Sequence, residues 1–99
     1  MFDLKGKTAF VTGSSRGIGR AILLAYAKQG ADVILHCRKQ DARAEETLAL
    51  AREAGVRVFA VYGDLSQKDT PAKLVEEIKT MGLKVDILVL NASVELRRH

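Results

Sequence analysis

The stretch Thr8-Ala9-Phe10-Val11-Thr12-Gly13-Ser14-Ser15-Arg16-Gly17-Ile18-Gly19 runs from an apolar segment of strand character into a glycine-rich bend. A helical pattern follows through Ala21, Ile22, Ala25 and Tyr26 and stops at Gly30. Between a strand and a helix such a bend is placed to bind an anion, because a helix start offers unpaired amides and the positive end of its dipole. Gly13 lets the chain turn sharply, Gly17 lets backbone come close to a diphosphate, and Gly19 lets the helix pack near the sheet. Ser14, Ser15 and Ile18 complete the bend, and Arg16 and Arg20 can add charge-assisted bonds. The blander alternative is a turn whose helix start is left to water. The spacing separates this loop from that of nucleoside triphosphatases, which needs four residues between its glycines and then Lys-Ser or Lys-Thr. Here three residues separate Gly13 from Gly17 and Arg20 follows Gly19, so ATP or GTP hydrolysis is disfavoured.

Outward from the bend, the same unit repeats. Val33 to Cys37 reads as a second strand, and Asp41 caps a helix with Glu45 and Glu46 early, Leu48, Ala51 and Ala54 inward, and Gly55 at its close. Val56 to Tyr62 is a third strand stopped by Gly63-Asp64. Thr70-Pro71 supplies the N-cap and first turn of a third helix, with Leu74, Val75, Ile78 and Met81 at helical spacing and Gly82 after it. Val85 to Leu90 is the fourth strand. This β-α-β-α-β-α-β alternation predicts an α/β fold, a partial Rossmann-type doubly wound parallel sheet of strand order 3-2-1-4. Right-handed crossovers put the first two helices on one face and the third alone on the other. That second face is half covered and the fourth strand is an apolar edge, so residues 1–99 read as the front of a longer protein, cut before its second half.

Composition bounds the function. The 99 residues, 47% hydrophobic and 28% charged with a single proline, make one globular domain. The longest apolar run, Ala21 to Ala27, falls far short of the roughly 20 residues that span a bilayer, so no membrane helix is expected. The N-terminus has no signal-peptide pattern, which points to the cytoplasm. Cys37 is the only cysteine, and His36 and His99 are far apart, which argues against a metal site. The net charge of +4 is scattered apart from Arg38-Lys39 and Arg97-Arg98. That suits an anionic small molecule better than a nucleic acid.

Gly13-x-x-x-Gly17-x-Gly19, with Asp64-Leu65 after the third strand and Asn91-Ala92 after the fourth, resembles the short-chain dehydrogenase/reductase family over essentially the whole chain. The resemblance implies that the bend binds the diphosphate of NAD(H) or NADP(H), that Asp64 and Leu65 lie at the adenine, and that Asn91 and Ala92 support the cofactor site. Taken alone, Asp64 reads equally as a helix-flanking cap and Asn91 as a turn former. The family commonly has Asn-Asn-Ala-Gly where this chain reads Leu90-Asn91-Ala92-Ser93, which trades backbone freedom for a hydroxyl.

Cofactor choice is written after the second strand, where a carboxylate would bind the ribose hydroxyls of NAD. Cys37 stands there instead, followed by Arg38 and Lys39, so NADP(H) is expected over NAD(H), with NAD(H) possible. The family's catalytic pair, Tyr-x-x-x-Lys, is absent: the tyrosines are Tyr26 and Tyr62, and Gly30 and Ser66 stand four residues on. The expected function is therefore the cofactor half of an NADP(H)-dependent oxidoreductase acting on a carbonyl or secondary alcohol, inactive by itself, whose full-length parent forms a homo-oligomer. The alternative is a stand-alone nucleotide-binding or interaction module without catalysis.

Overall fold

The structure, a computed structural model, describes residues 3–91. Four strands, β1 (Thr8–Val11), β2 (Asp32–Cys37), β3 (Val58–Tyr62) and β4 (Ile87–Val89), alternate with three helices, α1 (Gly17–Lys28), α2 (Ala42–Arg52) and α3 (Thr70–Thr80). All strand pairs are parallel and the order is β3-β2-β1-β4, as the alternation of periodicities predicts.

The sheet separates two apolar layers. On one face Leu23 and Ala27 of α1 and Ala44, Leu48 and Ala51 of α2 pack on Ala9, Val11, Val33 and Leu35. On the other, Leu74 and Ile78 of α3 pack on Phe10, Ile34 and Val61. Alternation along a strand sorts these side chains, since successive residues point to opposite faces. Each large aliphatic side chain so buried stabilises the fold by about 1.5–3 kcal/mol relative to exposure. The α3 layer covers its face incompletely, and Leu88 and Leu90 remain 56% and 76% exposed. Among the described residues no helix is long and apolar enough to cross a membrane.

The expectations are corrected at several boundaries. α1 buries Leu23 and Ala27, whereas Ala21 and Ala25 face outward. Ala54 lies beyond the end of α2 and is exposed, and Thr47 takes an inward place instead. β3 starts at Val58 rather than Val56, because the Asp32 carboxylate accepts from the Arg57 amide (2.9 Å) and its Nε (3.0 Å) just before the ladder begins. β4 covers Ile87–Val89 rather than Val85–Leu90, with the Asp86 carboxylate accepting the Thr8 amide at 2.9 Å at its entry. The α3 cap is Asp69, without a side-chain cap bond, so Thr70 opens the helix rather than capping it. Val75 and Met81 are exposed. The expected α2 cap does form: the Asp41 carboxylate accepts the Ala44 amide at 2.9 Å.

Candidate functional site

The strand ends β1, β2, β3 and β4 converge on one edge of the sheet, the edge at which open α/β sheets bind ligands. A cleft of about 1030 Å³ lies there, lined by Gly13, Ser15, Arg16, Gly17, Ile18, His36, Cys37, Arg38, Lys39, Asp41, Gly63, Asp64, Leu65, Ser66 and Asn91. Its volume is at the upper end of the roughly 300–1,000 Å³ of small-molecule sites. Of the residues singled out from sequence for the site, Ser14, Gly19 and Arg20 of the described set do not line it, and Arg20 instead pairs with Glu46 at 3.3 Å. Ala92 lies outside the described residues.

The bend is shaped by backbone contacts. Gly13 and Gly17 both take φ of 61°, in the left-handed region that side chains resist. Nothing lies within 4 Å of where a Gly17 Cβ would point, so that side of the loop is open. Gly19 is the opposite case: a Cβ there would overlap the Gly13 carbonyl oxygen and come within 2.5 Å of the Asn91 amide nitrogen. Its bare Cα therefore allows α1 to start hard against the bend. The cap residue Arg16 is extended, no side chain caps the helix, and no acidic residue stands in its first turn. Its first amides thus keep the free donors and positive potential of a helix start.

Ser14 turns inward. Its hydroxyl donates to the Val11 carbonyl (2.7 Å) and accepts the His36 amide (3.0 Å), while its own amide donates to the His36 carbonyl (2.8 Å). The bend thereby continues the β1–β2 pairing after β1 has ended. Ser15 is buried, and its carbonyl accepts from the Thr47 hydroxyl at 2.9 Å, which ties α2 to the loop. Asn91 closes the other side, donating its side-chain amide to the Gly13 carbonyl (3.1 Å) and its backbone amide to the Thr12 hydroxyl (2.9 Å).

His36 and Thr47 are the site residues that sequence reasoning missed. The His36 ring lies between two loops: Nδ1 accepts the Gly13 amide at 3.0 Å and Nε2 donates to the Gly63 carbonyl at 2.9 Å. Burial pushes its pKa below the ordinary histidine value, partly opposed by the Gly63 bond. The only sequence signal was a polar ring at an otherwise apolar strand position.

The remaining cleft residues differ in burial. Arg38 and Lys39 are exposed at the exit of β2. Cys37 is buried and donates to the Lys39 carbonyl at 3.3 Å, and burial raises its pKa. Asp64 is held below the ordinary carboxylate range first by the Ser66 hydroxyl (2.7 Å) and then by the Ser66 amide (2.9 Å). It forms a local turn and does not cap α3, whose cap is Asp69. Leu65 packs half-buried against the α3-side core.

A cleft at the carboxyl edge of a parallel sheet, floored by a glycine bend and an uncapped helix start, defines a nucleotide-binding α/β unit. The sequence matches the short chain dehydrogenase family over residues 7–99, and the chain belongs to the short-chain dehydrogenase/reductase family. It is 45% identical over 95 residues to an L-rhamnose 1-dehydrogenase (NADP(+)) of Thermoplasma acidophilum, covering 95% of this chain and 37% of that protein. It is 38% identical over 92 residues to the short-chain dehydrogenase/reductase homolog YusS of Bacillus subtilis, covering 93% of this chain and 84% of YusS. The fold superimposes with a TM-score of 0.87 on a 3-oxoacyl (acyl-carrier-protein) reductase of Agrobacterium tumefaciens solved with NADP bound. That protein is 40% identical, and the match covers 98% of this chain and 37% of the reductase. The chain thus spans little more than a third of the rhamnose dehydrogenase and of the reductase.

Proposed function

We propose that this chain is the cofactor-binding half of an NADP(H)-dependent oxidoreductase acting on a carbonyl or secondary alcohol. The carrying observation is the convergence of the glycine bend, the uncapped start of α1 and the Arg38–Lys39 corner on one cleft. The donor set fits a dinucleotide: amides of residues 15–19 hold the diphosphate, and the bare Gly17 leaves room for its approach. Arg38 and Lys39, with Arg16 across the cleft, bind a ribose 2′-phosphate. The Asp41 carboxylate also lines the cleft, but it is engaged by the Ala44 amide. Asp64 and Leu65 border the adenine, and Asn91, whose side-chain amide donates to the Gly13 carbonyl, supports the cofactor site. The nicotinamide ring supplies the hydride when bound. The names of the rhamnose dehydrogenase and of the Agrobacterium structure carry NADP, which supports the choice.

No Tyr-x-x-x-Lys occurs in the 99 residues, and Tyr26 and Tyr62 are half-buried packing residues, so the proton-transferring group comes from elsewhere in the parent. This unit alone binds cofactor without turnover, and the parent works in the cytoplasm as a homo-oligomer. A second reading, a stand-alone dinucleotide-binding module, is favoured by the 84% coverage of YusS. A coding sequence that continues into Tyr-x-x-x-Lys selects the first reading, and a stop codon after His99 selects the second.

Fluorescence titration with NADPH and NADH tests both. NADPH should bind more tightly, and Arg38→Ala should weaken NADPH about tenfold, the effect of one charge-assisted bond, while leaving NADH unchanged. Equal losses for both, or no loss, would remove the NADP(H) preference. A folded chain that binds neither up to millimolar concentration would overturn the reading.

A further inference from the structure

A buried imidazole whose two nitrogens both bond to backbone has a defined proton inventory. Nδ1 accepts the Gly13 amide, so it carries no proton, and Nε2 carries the one donated to Gly63. Gly13 and Gly63 line the cleft on the glycine bend and on the β3 exit, and these loops are separated by the end of β2. The ring sits edge-on to Phe10, centroids 6.5 Å apart and planes at 89°, which fixes its orientation from the core side. We infer that His36 is a positioning residue of the dinucleotide cleft: the neutral ring clasps the glycine bend to the β3 exit, and protonation at Nδ1 opens the clasp and weakens cofactor binding.

The inference rests on the dinucleotide reading above. Protonated Nδ1 would point a donor at the donor of Gly13, so that bond breaks and the bend loses the contact that orients its first amide. The ionisable groups around the ring are Arg16 on the bend, Arg38 and Lys39 at the β2 exit, Asp41 at the start of α2 and Asp64 on the β3 exit, all opening on the same cleft. Cys37 follows on the opposite face of β2. From the α3 layer, Leu74 and Ile78 face inward, while Lys73, Glu76, Glu77 and Lys79 are exposed. Among the described residues none of these side chains hydrogen-bonds the ring, whose two partners are backbone. The sign of the effect is diagnostic. A new positive charge beside a diphosphate, acting through attraction alone, would tighten binding as pH falls, whereas an opened clasp weakens it.

The test has two arms. In the ligand-free wild type, nitrogen NMR of the ring should show the Nε2–H tautomer at about pH 8, and the Gly13 amide should shift with the same midpoint as the ring, below the ordinary value of 6.5. A Gly13 amide indifferent to the ring titration, or an Nδ1–H tautomer, would overturn the clasp. In the second arm NADPH affinity is measured for wild type and His36→Gln at about pH 8 and at about one pH unit below the ring midpoint found in the first arm, and taking their ratio cancels the titration of the ligand's own phosphate. The variant should bind about tenfold more weakly at the higher pH and no more than about twofold more weakly at the lower. A ratio independent of pH, or wild-type binding that tightens relative to the variant on acidification, would overturn the coupling. No binding by folded wild type at about pH 8 would overturn the functional reading and the coupling with it, leaving the clasp to be decided by the ring titration.

Discussion

Replacing Gly19 with alanine adds a single methyl group where the bend, α1 and the end of β4 meet. The new Cβ would overlap the Gly13 carbonyl oxygen and crowd the Asn91 amide that donates to it at 3.1 Å. The obstacle on one side is backbone, which cannot swing aside as a long side chain does. Overpacking of this kind costs about 1–3 kcal/mol, and losing the Asn91 bond adds about 1 kcal/mol. Alanine's better helix propensity gives back about 1 kcal/mol, so the net loss is about 1–3 kcal/mol. For a domain of this size that lowers Tm by on the order of 10 °C, measurable by thermal or urea denaturation with an unchanged slope. NADPH affinity should fall as well, because the amides proposed to hold the diphosphate start at the displaced turn. Gly17→Ala is the control. Its Cβ meets nothing within 4 Å, so its stability cost is only the roughly 1 kcal/mol of φ at 61°, while its methyl enters the anion's approach. Gly19→Ala with wild-type stability and wild-type NADPH affinity would refute the account of how α1 is seated.

Thr47→Val removes the hydroxyl that reaches the Ser15 carbonyl while keeping the shape, so it should cost about 1–2 kcal/mol in urea denaturation and loosen NADPH binding; a variant as stable as wild type would show the tether is idle. Asp41→Ala should cost about 1 kcal/mol through the lost cap of α2 and Asp41→Asn much less, and equal losses would point to charge rather than capping. Burial depresses the His36 pKa, so the folded state holds fewer protons than the unfolded one as pH falls below the ordinary 6.5. Its contribution to stability is complete above that value and fades on acidification. His36→Gln should therefore lose less stability than wild type between about pH 7.5 and about pH 5.5, and parallel losses would refute the assignment.

The architecture was legible because it depends on signals that survive without coordinates. Period-two and period-3.6 apolar spacing set the element order, and the fixed hand of crossovers set the two faces of the sheet. Boundaries were less legible where a side chain takes over a ladder position. Asp32 meets Arg57 before β3 begins, and Asp86 meets Thr8 at the entry of β4; in sequence both are ordinary loop carboxylates. The α3 start shifted because a threonine before proline reads as a cap although Asp69 holds that position without using its side chain.

The same division runs through the cleft. Gly13, Gly17 and Gly19 announce themselves because only glycine meets their backbone and steric demands, and each demand has a spacing. Of the residues that hold the loop in place, Ser14 and Asn91 are marked by the glycine motif and the family resemblance, whereas His36 and Thr47 carry no such mark. Ser14, His36, Thr47 and Asn91 act through bonds to backbone atoms distant in sequence, with partners 22, 23, 32 and 78 positions away. A backbone partner has the same donor and acceptor whatever its side chain, so no second residue type appears in the sequence to complete the pair. What the sequence conveys best is therefore where an anion can approach. What fixes the amides at that place is a set of three tethers, from β2, α2 and the β4 exit, that converge on the residues between Gly13 and Ser15. A loop held from three elements arrives at its ligand already ordered, and the ordering entropy that a free glycine loop would lose on binding has been met in folding.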